Sequence, residues 1–124
     1  MHVLTVFEVV ATDEFAAWYD GLDTAAEDDV SAAVDHLAAV GIALGFPRSS
    51  AIEGATFALR ELRIQSMGRP LRVFYAFDPK RQAVLPIGGD KTGDDRFYER
   101  MIPLSERIWK EYTDETAPLG RPKA

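Results

Sequence analysis

Apolar positions along this chain recur first at helical spacing, then in alternation, then at helical spacing again. Ahead of the first helical stretch, residues 3–10 are rich in β-branched side chains over a length that suits one strand. Thr12 can cap a helix in which Phe15, Trp18 and Leu22 form an apolar stripe. Gly21 and Asp23 mark a turn. Thr24-Ala25-Ala26-Glu27 then has the spacing of a capping box, the threonine and glutamate satisfying each other's exposed backbone donors. Val30, Val34 and Leu37 share one face of the helix that follows, and Gly41 is placed to end it. The glycines, proline and serines of residues 42–56 read as a loop.

Alternation takes over in three segments, at about residues 57–66, 70–78 and 82–88. Met67-Gly68 joins the first two, and Asp78-Pro79-Lys80-Arg81 joins the second and third. Links this short demand antiparallel neighbours. Gly88 and Gly89 are expected to end the sheet. Thr92 to Asp95 is a second Thr-x-x-acid start, leading into a helix that runs to about Thr113. Phe97, Met101, Leu104, Ile108 and Tyr112 recur along it at helical spacing. Pro103 has no N–H to donate, so a kink or a division is expected there. The chain therefore reads as a small α/β (α+β) domain over residues 1–116. It has an antiparallel-rich sheet, an N-terminal helical hairpin and a C-terminal helix, with a flexible tail at 117–124.

If Met67-Gly68 is the centre of a tight hairpin, Leu62 faces Val73 and Ile64 faces Leu71, giving one apolar face. On the other face Arg63 lies across from Arg72. Like charges directly opposed destabilise a sheet by some tenths of a kcal/mol, so folding alone does not ask for that pair. An anion bound between the arginines explains it; so does an acid such as Glu61 that neutralises both. Phe74 shares the face of Arg72 and either stacks a base or packs beneath a helix. Arg60 and Tyr75 fall on the apolar side, as a rim pair.

Composition narrows the chemistry. The chain is 124 residues long with a net charge of −6, no cysteine and two histidines. Disulfides and thiolate sites are excluded, and a zinc site or a histidine acid–base pair is hard to build. The helix with Asp28, Asp29, Asp35 and His36 reads as a solvated face. No apolar run has the roughly 18–20 residues needed to span a bilayer, and a cytoplasmic location is expected. Charge is unevenly spread: residues 1–47 hold nine acids and no lysine or arginine, whereas residues 57–91 hold seven bases against three acids. The basic part can attract an anion locally despite the net charge.

Leu59-Arg60-Glu61-Leu62-Arg63-Ile64 followed by Arg72-Val73-Phe74-Tyr75-Ala76-Phe77 resembles the RelE/HigB-like toxins of type II toxin–antitoxin pairs, most of all their phage-related HigB-like branch. The order of elements fits that resemblance over about residues 3–115. It implies a metal-independent endoribonuclease without cofactor that cleaves mRNA on the ribosome, arrests translation and is held inactive by a cognate, DNA-binding antitoxin. Arg63 and Arg72 correspond to the family's sheet arginines, and Lys91 to what remains of its basic motif after the last strand. Where the family has a His-Gly-Phe-like stretch with two adjacent lysines, this chain has Gly88-Gly89-Asp90-Lys91-Thr92. RNA brings its own nucleophile in the 2′-OH, so the expected catalytic set is Arg63 and Arg72 on the phosphate, Lys91 beside them, and Tyr98 or Asp90 in proton transfer. Arg69, Phe74 and Arg60 are the candidates for further RNA contact. The same superfamily includes ParE-like toxins that bind DNA gyrase without nuclease chemistry. A degenerate module that only binds the antitoxin is a further alternative.

Overall fold

A computed structural model describes residues 7–118. Residues 3–6 of the expected first strand and residues 119–124 of the expected tail lie outside them. The chain runs β1 (Val9–Ala11), α1 (Asp13–Asp20), α2 (Thr24–Val40), a 3-10 turn (Gly41–Ala43), β2 (Ser49–Ala51), β3 (Arg60–Ser66), β4 (Arg69–Phe77), β5 (Ala83–Leu85), β6 (Gly88–Asp90) and α3 (Phe97–Thr116). It is an α+β fold in three layers, with α1 and α2 on one face of a mixed, mostly antiparallel sheet and α3 on the other. No helix among the described residues is long and apolar enough to cross a membrane.

The sheet order is β1-β5-β4-β3-β2, with β6 also paired to β4. The β3–β4 hairpin has the register read from its turn: Leu62 opposite Val73, Arg63 opposite Arg72 and Ile64 opposite Leu71. Gly68, at φ +76°, allows the tight reversal. β4 is the central strand. β3 pairs along one edge, while β6 and then β5 pair along the other. Pro86 separates those two short strands, and Phe74 N–H donates to Ile87 O across the gap at 3.0 Å. β1 pairs with β5 in parallel.

Alternation along the hairpin supplies two cores. Leu62, Ile64, Leu71 and Val73 face Phe15, Val30 and Leu37 of α1 and α2, all buried. From the other face, Phe74 meets Phe97 and Met101 of α3. Burying each such side chain stabilises the fold by about 1.5–3 kcal/mol, which fixes the register because a one-residue slip would exchange the faces. Asp78 organises the turn into β5: its Oδ1 accepts from Lys80 N (3.0 Å) and Gln82 N (2.8 Å), and its Oδ2 accepts from Tyr112 Oη (2.9 Å). Burial, and then the carboxylate of Asp78, push the Tyr112 phenol up to about 12.

Several local expectations are corrected. Thr12 does cap α1, accepting from Phe15 N at 3.1 Å. The cap of α2 is Asp23, however, which accepts from Ala26 N at 2.9 Å and leaves Thr24 inside the helix. Thr92 does not cap α3; it donates to Asp90 Oδ1 in a tight turn, and the helix starts at Phe97 with Arg96 at its cap. Pro103 lies on the exposed side of α3, seven residues in, and does not divide it. The loop expected at 42–56 contains β2, whose Ser49-Ser50-Ala51 carries no apolar alternation to mark it.

The glycine pair does not end the sheet but forms β6. Each glycine is needed because one layer closes on it from either side. A Cβ on Gly88 would fall 2.2 Å from Trp18 Cζ3 of α1; one on Gly89 would fall 2.8 Å from Phe97 Cε1 of α3. We therefore expect Gly88→Ala to lower stability by about 1–3 kcal/mol, the scale of overpacking a core. Gly45→Ala, where the nearest atom is 4.0 Å away, should leave it nearly unchanged. Urea unfolding of the two variants checks this, and equal midpoints would refute it.

Candidate active site

The face of the hairpin turned toward the start of α3 carries Glu61 and Arg63 from β3 and Arg72 from β4. Strand alternation puts Glu61 and Arg63 two residues apart on that face, and the register brings Arg72 opposite Arg63. Glu61 sits between the two arginines: its Oε2 lies 3.5 Å from Arg63 Nη1 and its Oε1 3.5 Å from Arg72 Nε. The carboxylate is buried, with its side chain 4% exposed. It also accepts from Ser50 Oγ of β2 at 3.0 Å and from Tyr98 Oη of α3 at 2.7 Å. One carboxylate thus ties together three strands and a helix.

The two arginines are not equivalent. Arg63 has 37% of its side chain exposed, whereas Arg72 has 7%. Arg72 Nη1 donates to Leu71 O at 3.0 Å, while its buried Nε makes no hydrogen bond to a described residue. Of the two explanations for the opposed arginines, the neutralising acid is therefore present, and it leaves one guanidinium open to solvent.

Tyr98 and Lys91 complete the cluster. Burial, and then the hydrogen bond to Glu61, raise the Tyr98 phenol above its ordinary value, with Arg72 opposing. Its hydroxyl acts as the donor to Glu61 Oε1. Lys91 follows β6 directly. Its backbone N–H donates to Pro70 O at 2.9 Å, and its Nζ stands 5.2 Å from the centroid of the Tyr98 ring. Asp90, the other candidate for proton transfer, is engaged with Thr92.

The three residues expected to extend RNA contact are not brought to this cluster. Phe74 shares its face but is fully buried, stacked near Phe97 with ring centroids 6.0 Å apart and edge-on to Tyr98. No face of its ring is open to a base. Arg60 lies on the opposite face, where its Nε donates to Ser49 Oγ (3.1 Å) and Tyr75 Oη (3.3 Å) as a rim pair. Arg69 is also on that face, with its guanidinium forked onto Asp23 at 2.8 and 3.1 Å. The sequence signal that separates Arg60 and Arg69 from Arg63 and Arg72 is parity along the strand. Ser50 is the contributor with no such signal, because β2 is too short and polar to read. Among the described residues no group of three or more histidine, aspartate and glutamate side chains is placed to hold a metal.

Comparison with known proteins adds an independent line. A family profile described as "Phage derived protein Gp49-like (DUF891)" matches residues 17–110, a span containing the whole cluster. "Putative toxin HigB3" of Mycobacterium tuberculosis (strain ATCC 25618 / H37Rv) is 36% identical over 101 residues, covering 80% of this chain and 87% of that protein. "Putative toxin HigB2" of the same strain is 33% identical over 115 residues, covering 88% of this chain and 57% of that longer protein. No solved structure matches the chain.

The burial of Glu61 yields a prediction about stability. Removing one partner of a buried ion pair leaves the other charge unpaired and costs about 3–5 kcal/mol, whereas replacing both by apolar residues of similar size is often neutral. Glu61→Gln should therefore destabilise by about 3 kcal/mol, and the double variant Glu61→Leu, Arg72→Met should regain most of that loss. Urea titrations of the parent and both variants check it; a double variant less stable than Glu61→Gln would overturn this account.

Proposed function

The chain belongs to the Gp49-like family of phage-derived proteins that includes HigB-like toxins, and on that basis we propose that it is a toxin acting as a metal-independent mRNA endoribonuclease. The observation that carries the reading is the clustering of Arg63, Arg72 and Tyr98 around one buried carboxylate, with Lys91 beside the Tyr98 ring. In the proposed reaction the 2′-OH gives up its proton to water as it attacks the adjacent phosphorus, and a 2′,3′-cyclic phosphate forms as the bond to the 5′-oxygen breaks. Arg63, the more open guanidinium, meets the phosphate through charge-assisted hydrogen bonds, and the charge of the more buried Arg72 behind it adds to the field as negative charge grows on the equatorial oxygens. Lys91 adds a third positive charge. Tyr98, whose phenol donates to Glu61, gives its proton to the departing 5′-oxygen and is reprotonated from water. Glu61 is a positioning residue that fixes the angle between the arginines.

A net charge of −6 disfavours free RNA as a ligand, since affinity grows with the number of cations meeting phosphates. A ribosome that presents the mRNA compensates for it. The cytoplasm is the compartment where such a substrate is met. The partner that silences the toxin is a separately encoded, DNA-binding antitoxin, which we expect to cover or distort the basic hairpin face. One observation favours a second reading: with Glu61 already paired to both arginines and offsetting one of their two charges, the site also suits a ParE-like toxin that binds a protein target such as DNA gyrase.

RNA cleavage assayed with and without ribosomes separates the two. Arg63→Ala or Arg72→Ala should reduce cleavage by about 10²–10³-fold, the scale for one preorganised transition-state donor. Arg→Lys should recover little, because an ammonium lacks the planar fork. Arg81→Ala, in the exposed turn before β5, should change activity only slightly. Folded arginine variants that cut RNA like the parent sink the mechanism; a parent that arrests growth yet cuts no RNA moves the assignment to the protein-binding reading. For the partner, co-expression with the neighbouring gene followed by pull-down should return a complex, and failure to form one counts against the toxin reading.

A further inference from the structure

With Phe74 buried, one aromatic ring does stand open beside the arginines. Phe46 is 79% exposed, in the turn between the 3-10 segment and β2, and Arg63 Cζ lies 5.8 Å from its ring centroid. Leaving a phenylalanine in water forgoes about 1.5–3 kcal/mol of burial, so the fold itself gains little from an aromatic here. The turn that carries it is nonetheless fixed in place. Ser49 N donates to Gly45 O at 3.1 Å, and Arg63 N donates to Arg48 O at 2.8 Å, which pins the turn to the edge of β3. The ring is therefore held against a guanidinium from the site.

A cavity of about 190 Å³ opens next to it, lined by Pro47, Arg63, Ile64, Gln65 and Arg72. Both sheet arginines and an amide side chain thus face one hollow at the foot of the exposed ring. An open aromatic face, a guanidinium held near it and a polar hollow between the two arginines fit a single-stranded nucleotide, with the base on the ring and the phosphate on the arginine.

We propose that Phe46 is the platform on which a base of single-stranded RNA stacks, setting the adjoining phosphate at Arg63. The proposal rests on the ribonuclease reading for its substrate class. Because every base has a π-face, this contact supplies affinity and register with little choice among bases. Gln65, at the cavity wall, is the side chain placed to read a base edge.

The test uses the full chain and two probes, a labelled single-stranded oligoribonucleotide and a sugar–phosphate strand of the same length without bases. Phe46→Ala should weaken oligoribonucleotide binding about tenfold, and its loss in cleavage should fall on KM rather than kcat. Phe46→Tyr should bind like the parent. The fluorescence of Phe46→Trp, after subtraction of the parent's Trp18 and Trp109 signal, should be quenched by the oligoribonucleotide and not by the abasic strand. Parent-like affinity and KM in Phe46→Ala, with RNA still cut, overturn the proposal while the ribonuclease reading stands. Binding that depends on Phe46 in a parent that cuts nothing supports the platform and removes the nuclease. A Phe46→Ala protein that binds RNA normally but has lost its antitoxin makes the ring a protein contact and overturns the proposal, and a parent that neither binds nor cuts RNA overturns both.

Discussion

Glu61 accepts from or pairs with side chains on β2, β4 and α3 as well as its own strand, and it does so with almost no access to water. A carboxylate in that position is tolerable only because each oxygen has a cationic neighbour and a hydroxyl donor. Its partners are in turn placed by it. Among the described residues Arg72 has no other acidic partner, and Tyr98 owes both its orientation and part of its raised pKa to the same oxygen. The two cores determine that the hairpin lies between helices; Glu61 determines how the charged groups meet where α3 leaves the sheet.

This arrangement also bears on how an acidic protein presents a basic site. The acids of the first third are gathered on α1 and α2, across the sheet from the cluster. Where the two halves touch, Asp23 caps α2 and engages Arg69 at the hairpin tip; the contact holds the Asp23 carboxyl below its ordinary range. The acidic helices and the basic hairpin are thus joined at the hairpin tip.

Much of this was legible from residue order. A two-residue turn and strict alternation were enough to place Arg63 against Arg72 on the face away from Leu62 and Val73, because the pleat leaves no other choice once the register is set. What failed did so for physical reasons specific to each position. Asp23 outcompeted Thr24 for the cap, a choice decided by one residue of helix phase. Gly88 and Gly89 looked like a stop, yet they are the only residues thin enough to let Trp18 and Phe97 close from both sides. Phe74 was read correctly as facing the arginine side, but its depth depends on α3, whose docking position no local pattern encodes. Phe46 carried no periodic signal at all, since its neighbours form a turn.

The position of β4 has a consequence for motion. It is paired along both edges and covered on both faces, whereas the outer edge of β3 is bonded only from Arg60 to Arg63, by β2 and the Arg48 carbonyl, and runs on without a strand beside it to Ser66. Amide hydrogens on β4 should thus be among the last in the molecule to exchange with solvent, and those near the outer edge of β3 among the earlier ones. Arg72 rides on the slow strand and Arg63 on the more yielding one. On the proposed reading, a phosphate entering between them would meet one fixed wall and one more compliant wall, so the width of the gap would adjust to the ligand without any change in the element that anchors it.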